Sequence, residues 1–450
     1  MIYDLAIIGG GPAGYTAAAR AAQGGLTTVL FEENALGGTC LNEGCIPTKA
    51  FLYSAKVLQT VQNAQHYGIT AQASSADQAK ILARKNKVVR KLVAGVKAKV
   101  NASGAQLITG SATVEPHADN EPYRIRCNNE LYSAHHLLLC TGSETVIPPI
   151  PGIDQTPYLT SREALQLEAI PASIAIIGGG VIGMEFAAYF CEMGAQVSVI
   201  EMMPEILTGL DSELAAKLRA TYLKKGVAFY LGHKVVALAP GKVSIEYEGN
   251  TSVVEAEQIL LSVGRRPRTN AFQDLNLQMR GRGVETDEFL RTSLPGVYAA
   301  GDVNGRSLLA HTAVREAETA VDHLLGRDPK PMNYTAIPGV VYTHPEIAGV
   351  GATEEALADN HIPYTKQILP MAFAGRFVAE NERAEGYCKI LLDADRNTIL
   401  GVHMLGGPCS ELIVLAGVAM DSGLTAHQLA DMIFPHPTVG EIIKETLEAF

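Results

Sequence analysis

At 450 residues the chain is long enough for about three domains of ~150 residues each. With 47% hydrophobic and 18% charged residues it has the composition of a core-forming globular protein. A net charge of −11 argues against nucleic acid or an anionic membrane as the main partner, and no apolar run approaches the ~18–20 residues of a membrane span. Met1 is followed at once by a strand pattern, so no signal or transit segment is expected and the cytoplasm is the expected compartment.

Residues 3–8 read as an apolar strand, Gly9-Gly10-Gly11-Pro12-Ala13-Gly14 as a turn, and Tyr15 to Ala22 as a small-residue helix. A second strand, Leu26 to Glu32, ends in an acid 18 residues past Gly14. Strand, glycine turn, helix, strand and acid, in that order, make the dinucleotide fingerprint. The glycines allow a tight turn and a close approach of pyrophosphate to the helix N-terminus. Glu32 can accept from both ribose hydroxyls.

Next comes Gly37-Gly38-Thr39-Cys40-Leu41-Asn42-Glu43-Gly44-Cys45-Ile46-Pro47-Thr48-Lys49, which reads as loop turning into helix. Cys40 and Cys45 are close enough to form a small disulfide ring. Gly37, Gly38 and Gly44 let the backbone bend, and Pro47 suits a first helical turn. Cysteine nucleophiles work as thiolates, which a helix N-terminus favours. The pair reads as redox-active, or else as a structural disulfide. Half a zinc site would need further ligands, and no other Cys or His lies within about a dozen residues. The chain has seven cysteines, an odd number, and most lie in apolar runs. Cys140 has the surroundings of a buried small hydrophobe. In a reducing compartment a single close pair points to catalysis.

From Pro47 to about Tyr67, and again from Ala76 to Val100, the pattern is helical. The second helix carries eight basic residues and, after Asp77, no acid. It is either a docking face for an acidic partner or a solvated helix face. Short β-type runs follow at 105–116, 122–127 and 135–140, before prolines at 148, 149 and 151 break the first domain off.

The opening pattern then repeats. Ser173 to Ile177 reads as strand, Gly178-Gly179-Gly180-Val181-Ile182-Gly183 as turn, Met184 to Met193 as helix and Gln196 to Ile200 as strand. Glu201 lies 18 residues past Gly183. Two such units in one chain are far more specific than one. A carboxylate at Glu201 accepts from a 2′-hydroxyl and repels a 2′-phosphate. The following Met202-Met203-Pro204 offers no arginine, so this site reads as NAD rather than NADP. Strands are expected near 234–238, 243–247 and 259–263, leading to Gly264-Arg265-Arg266-Pro267. Val297 to Ala300 is a strand ending in Gly301-Asp302, an aspartate placed to bind a polyol or to cap a turn. Leu309 to Leu325 is helical.

After Pro329 the pattern is α+β, with strands at 340–342, 387–392 and 398–405 and helices at 409–421 and 438–449. Near the end stands Phe434-Pro435-His436-Pro437-Thr438-Val439-Gly440-Glu441. The prolines stiffen the loop around His436, and Glu441 is close enough to orient an imidazole. Thr438 and Glu441 also have capping-box spacing.

Two nucleotide folds, a close cysteine pair and a C-terminal His–Glu pair together resemble the flavoprotein disulfide oxidoreductases, and within them the branch that oxidises dihydrolipoamide. The resemblance runs nearly end to end. It rests on GGTCLNEGCIPTKA (37–50), IIGGGVIGMEFA (176–187), VGRRP (263–267), YAAGDV (298–303), LLAHTA (308–313), IPGVVYTHPEIAGVG (337–351), GRFVAENERAEGYCKI (375–390) and ILGVHMLGGPCSELI (399–413). It implies an α/β protein with two Rossmann-like domains, one for FAD and one for NAD, plus a C-terminal α+β dimerisation domain. The expected bounds are 1–145 for the first part of the FAD domain, 146–265 for NAD, 266–331 for the return to the FAD/central domain, and 332–450 for the interface.

The resemblance also implies residue roles. Gly9, Gly11, Gly14, Glu32, Lys49, Ala112, Asp302 and Ala310 would bind FAD, and Gly178, Gly180, Gly183, Glu201, Val235 and Gly264 NAD. Cys40 would exchange with the dithiol and Cys45 would face the flavin. His436 and Glu441 would be the acid/base pair acting on the partner subunit's disulfide in a homodimer. The implied partners are lipoyl domains of 2-oxo acid dehydrogenase or glycine cleavage systems. The chain departs from the family pattern at Glu43, Phe434 and Gly440. Two alternatives are an NADH-dependent reductase of another small disulfide, and a subunit that mainly docks on an acyltransferase core.

Overall fold

In a computed structural model, residues 1–72, 75–118, 121–382 and 385–450 are described; Arg383 and Ala384, within the 375–390 stretch, lie outside them. The chain forms two compact units. One comprises residues 1–50, 82–147 and 264–332, the other residues 51–81, 148–263 and 333–450.

The first unit is built on a seven-stranded sheet. Strand Ile2–Ile8 lies between Thr28–Glu32 and Glu130–Leu139, parallel to both, with Ile8 opposite Phe31 on one side and Leu139 on the other. Val297–Ala299 pairs in parallel with Glu130–Leu139. This register brings the ends of four strands to one edge, where ligands bind in open α/β sheets. Leu5 to Ile8 and Val29 to Phe31 are buried, as strands covered on both faces must be. On one face Leu5, Ile7, Leu30 and Leu138 pack with the alanines of helix Pro12–Gln23 (Ala17, Ala18, Ala21) and helix Ala310–Leu324 (Ala313, Ala317, Ala320). Alanine faces let these helices approach closely, and Arg20 ties them together through a salt bridge to Asp322. Burying each Leu or Ile contributes about 1.5–3 kcal/mol.

The second unit contains a four-stranded parallel sheet in the order Ala228–Leu231, Gln196–Glu201, Ser173–Ile177, Gln258–Leu261. Helix Val181–Glu192 follows its central strand. A three-stranded antiparallel sheet spans Lys234–Ala239, Lys242–Tyr247 and Asn250–Glu255. The C-terminal part is a five-stranded antiparallel sheet, Gly339–Val341, Ile347–Gly351, Ile399–Leu405, Tyr387–Asp393 and Tyr364–Pro370, backed by helices Cys409–Asp421 and Glu441–Glu448.

Strands Ala228–Leu231, Asn250–Glu255, Ile347–Gly351 and Tyr364–Pro370 and helix Ser212–Lys224 add to the elements read from the sequence. The basic segment is one helix, Gln78–Ser103, in which Lys85 is buried. Among the described residues no helix is long and apolar enough to cross a membrane, and no group of His, Cys, Asp or Glu could hold a metal ion.

Candidate active site

The first glycine turn is shaped by backbone contacts. Gly9 has φ +104°, and a Cβ there would lie 2.3 Å from the Cys140 carbonyl oxygen. At Gly14 a Cβ would lie 1.8 Å from the Gly9 carbonyl oxygen. These two glycines are therefore required by the fold itself. Gly11 differs: its φ is −69°, and a Cβ would meet only the Gly38 Cα at 3.9 Å. Its bare face opens where helix Pro12–Gln23 presents its first N–H groups, a natural anion site. Glu32 is buried at the end of its strand. Its Oε2 accepts from the Gly10 N–H (2.7 Å) and its Oε1 from the Asn34 N–H (2.8 Å). Burial pushes its pKa up, opposed by these two hydrogen bonds.

The second turn repeats the arrangement. Gly178 has φ +106°, and a Cβ at Gly183 would lie 1.9 Å from the Gly178 carbonyl oxygen. Gly180 has φ −73°, and a Cβ there would meet nothing within 4 Å. Glu201 accepts from the Gly179 N–H through Oε2 (2.6 Å) and from the Met203 N–H through Oε1 (2.8 Å). Each acid thus braces the second glycine of its own turn, 22 residues upstream. Both carboxylates keep lone pairs for ribose hydroxyls. Val235, on strand Lys234–Ala239, is half-buried against the core of this unit.

Cys40 sits on the short helix Gly38–Asn42, and Cys45 opens helix Cys45–Gln62, with Pro47 in its first turn. Gly37, with φ +99°, sends its N–H to the Gly10 carbonyl (2.8 Å), tying the cysteine turn to the first cradle. Cys40 and Cys45 are half-buried free thiols, joined by a hydrogen bond. That bond, then burial and the charge on Cys45, push the Cys40 pKa well up; Asp302 adds to this and Lys49 opposes it. Cys45 lies at the N-terminus of its helix, where the helix dipole favours a thiolate. The Tyr15 phenol pKa is raised by burial and then by the charges of Cys40 and Cys45.

Asp302 follows strand Val297–Ala299 and accepts from the Ser143 hydroxyl. Burial raises its pKa, while Ser143 and then Arg265 lower it. Arg265 donates through Nε to the Ser143 Oγ (2.8 Å) and through Nη2 to the Ser143 carbonyl (2.7 Å) and the Thr39 Oγ1 (3.3 Å), one residue from Cys40. The Gly301 N–H donates to Oε2 of the fully buried Glu316 (2.6 Å). A third glycine turn is thus braced by a carboxylate. Ala112 is buried on strand Ala112–Val114, and Ala310 opens helix Ala310–Leu324. Gly264, φ +107°, accepts from the Val146 N–H (3.0 Å).

In the second unit the His436 Nδ1 lies 2.8 Å from the Glu441 Oε1, with the imidazole 78% exposed. The Glu441 Oε2 accepts from the Thr438 N–H (2.8 Å). These two partners, Thr438 first, hold the Glu441 pKa below the usual carboxylate range. The capping box forms only by half: the Thr438 hydroxyl donates to the Pro435 carbonyl (2.8 Å), and the helix starts at Glu441. One carboxylate thus serves both as loop brace and as imidazole partner.

Comparison with known proteins now decides the family. Residues 3–317 match the pyridine nucleotide-disulphide oxidoreductase family, and residues 337–447 match its dimerisation domain. The chain belongs to that family. It is 35% identical to a dihydrolipoyl dehydrogenase of Mycoplasma pneumoniae, over 99% of this chain and 98% of that protein. A Bacillus subtilis dihydrolipoyl dehydrogenase is 37% identical over 98% and 97%. The crystal structure of LpdA from Mycobacterium tuberculosis superposes with a TM-score of 0.89 at 27% identity, covering 99% of each chain. The HOCl-induced flavoprotein disulfide reductase RclA from Escherichia coli gives 0.86 at 27% identity, again covering 99% of each.

The family's cofactors are FAD and NAD, and its members are dimeric enzymes. Gly11 and Gly180 fit those cofactors: neither needs to be glycine for its own φ or packing, so the space beside each suits a pyrophosphate. The sequence reading missed Glu316, Arg265 and Glu185. Glu185, a buried acid in helix Val181–Glu192, accepts from the Tyr342 N–H (3.0 Å). An acid inside the apolar run Met184 to Phe190 is a signal that could have found it.

Proposed function

We propose that the protein is an NAD-linked dihydrolipoyl dehydrogenase that oxidises protein-borne dihydrolipoamide through a Cys40–Cys45 disulfide. Residues 1–145 and 266–331 would hold FAD, residues 146–265 NAD, and residues 332–450 would form the dimer interface. Gly9, Gly11, Gly14, Glu32, Lys49, Ala112, Asp302 and Ala310 are assigned to FAD. Gly178, Gly180, Gly183, Glu201, Val235 and Gly264 are assigned to NAD. The observation that carries the reading is the hydrogen-bonded Cys40–Cys45 pair in a chain that matches dihydrolipoyl dehydrogenases over its full length.

The chemistry follows from proton placement. An alkyl thiol with pKa near 8.5 is only about 3% thiolate at pH 7, so attack on the disulfide benefits from a base. Glu441 takes the Nδ1–H of His436, which leaves Nε2 to accept the substrate proton. The first substrate sulfur bonds to Cys40 and expels Cys45 as thiolate. The second substrate sulfur then displaces Cys40, closing lipoamide. The two substrate protons finish on the His436 Nε2 and the Cys40 Sγ, and the electron pair finishes on Cys45. This matches the raised Cys40 pKa. Lys49, whose charge lowers the Cys40 pKa, supplies positive charge beside the pair. FAD and NAD⁺, when bound, supply the acceptance of that electron pair and its removal as hydride.

Each active site would be completed by His436 of the partner subunit. Ile433, three residues earlier, is 98% exposed in the single chain, and Val414 and Val418 expose one apolar face of helix Cys409–Asp421. A second copy would cover such a surface. A substrate panel with NADH tests the reading: lipoamide should be reduced at least tenfold more efficiently than glutathione disulfide. The opposite preference would favour a reductase of another disulfide, a reading motivated by the structural likeness to the disulfide reductase RclA.

A further inference from the structure

Helix Gln78–Ser103 carries eight of the chain's 36 basic residues and none of its 47 acidic ones. The protein as a whole is at −11, so this helix reverses the local sign. Its packed side is formed by Lys85, Val89, Val93, Val96 and Val100, all buried or half-buried. Lys80, Arg84, Lys87 and Lys91, spaced i, i+4, i+7 and i+11, form one stripe on the opposite side and are exposed. Arg90, Lys97 and Lys99 are exposed as well.

A solvated helix ordinarily mixes signs, because i,i+4 pairs of opposite charge stabilise it and like pairs destabilise it. Here Lys80–Arg84 and Lys87–Lys91 are like-charged i,i+4 pairs. Lys80 is offset by Asp77 just before the helix (3.0 Å), and from Arg84 onward the helix keeps a single-sign surface. Arg84 also ties the stripe to the cysteine-bearing helix: its Nη1 donates to the carbonyl of Ala50 (3.1 Å), five residues past Cys45.

We propose that this stripe docks the acidic lipoyl-bearing domain that delivers the dihydrolipoyl group. The proposal rests on the dihydrolipoyl dehydrogenase reading. The chain's net charge of −11 repels an acidic carrier and the stripe attracts it locally, so the stripe would both steer encounter and select the carrier. It would change capture of the carried substrate and leave the chemistry alone.

The test compares the holoenzyme with Lys87→Glu/Lys91→Glu, using free dihydrolipoamide and a reduced lipoyl domain of net negative charge, at low and high salt. Charge reversal should raise KM for the domain about tenfold at low salt. It should leave kcat and KM for the free dithiol unchanged, and the difference should fade at high salt. Lys87→Arg/Lys91→Arg should behave as the original. An unchanged KM for the domain overturns the proposal. So does an unchanged KM for the domain accompanied by lost binding to anionic vesicles or duplex DNA. If the unaltered holoenzyme fails to oxidise free dihydrolipoamide, the underlying functional reading fails first, and visibly so.

Discussion

Replacing Gly180 with alanine separates a glycine kept for the ligand from one kept for the fold. Its φ of −73° and ψ of −173° suit alanine, and the new Cβ would meet nothing within 4 Å. Gly180 is the helix N-cap, so the cost to folding is at most a few tenths to about 1 kcal/mol. A methyl pressed against a bound pyrophosphate should cost about 1–3 kcal/mol, as overpacking does, or roughly 5- to 150-fold in Kd. Fluorescence titration with NADH, beside a thermal melt, reads both quantities. Gly183→Ala is the contrast: its Cβ would sit 1.9 Å from the Gly178 carbonyl oxygen, so the turn itself must break and the protein should melt early or fail to fold. Unchanged NADH affinity in a well-folded Gly180→Ala variant would show that no pyrophosphate lies against this glycine. The same logic predicts that Gly11→Ala folds but loses FAD on dilution.

Cys40→Ser should abolish lipoamide turnover yet leave the Cys45 thiolate and its long-wavelength absorbance in the flavin-loaded enzyme; loss of that absorbance would reverse the two sulfur roles. His436→Gln should lower kcat for dihydrolipoamide by about 10²–10⁴, and a near-normal kcat would remove it as the base. Glu201→Gln should raise KM for NADH and weaken discrimination against NADPH, read from the two steady-state ratios. Lys389 is buried with Asp211, each 1% exposed, and also pairs with Glu213 and Glu354. Lys389→Met leaves a buried carboxylate uncompensated and should cost about 3–5 kcal/mol by thermal or urea unfolding. Burial alone would raise the Glu354 pKa, but hydrogen bonds from Lys389, Lys366 and Tyr364 hold it down to about 2. Its contribution to stability is therefore present above its unfolded pKa of about 4.3 and lost as pH falls toward 2. The Lys389→Met protein should unfold at a higher pH in an acid titration followed by circular dichroism.

Features set by local chemistry could be read from the sequence. Strand Ser173–Ile177 and helix Cys409–Asp421 fall where periodicity and glycine punctuation put them. The His436–Glu441 contact was within reach of spacing alone, because a five-residue loop confines both side chains. Long-range pairing hid the rest. The Glu32–Gly10 and Glu201–Gly179 bonds exist only because parallel strands bring residues 22 apart to one edge. Glu316 reaches Gly301 from the first turns of an alanine-rich helix that otherwise reads as packing. Strand Ile347–Gly351 holds two glycines, and strand Tyr364–Pro370 carries polar residues and a proline; pairing with their neighbours makes both strands. Helix Ser212–Lys224 breaks its apolar pattern with lysines and an arginine, and its start is marked only by Asp211 accepting from the Leu214 N–H (3.1 Å).

The most direct measurement is the rate of NADH formation from dihydrolipoamide and NAD⁺ by the FAD-loaded dimer. Robust turnover is expected at neutral pH, with little using NADP⁺ and none in the Cys40→Ser variant. Absence of dihydrolipoamide oxidation in the FAD-loaded protein, or a clear preference for NADP⁺, would contradict the NAD-linked dihydrolipoyl dehydrogenase reading.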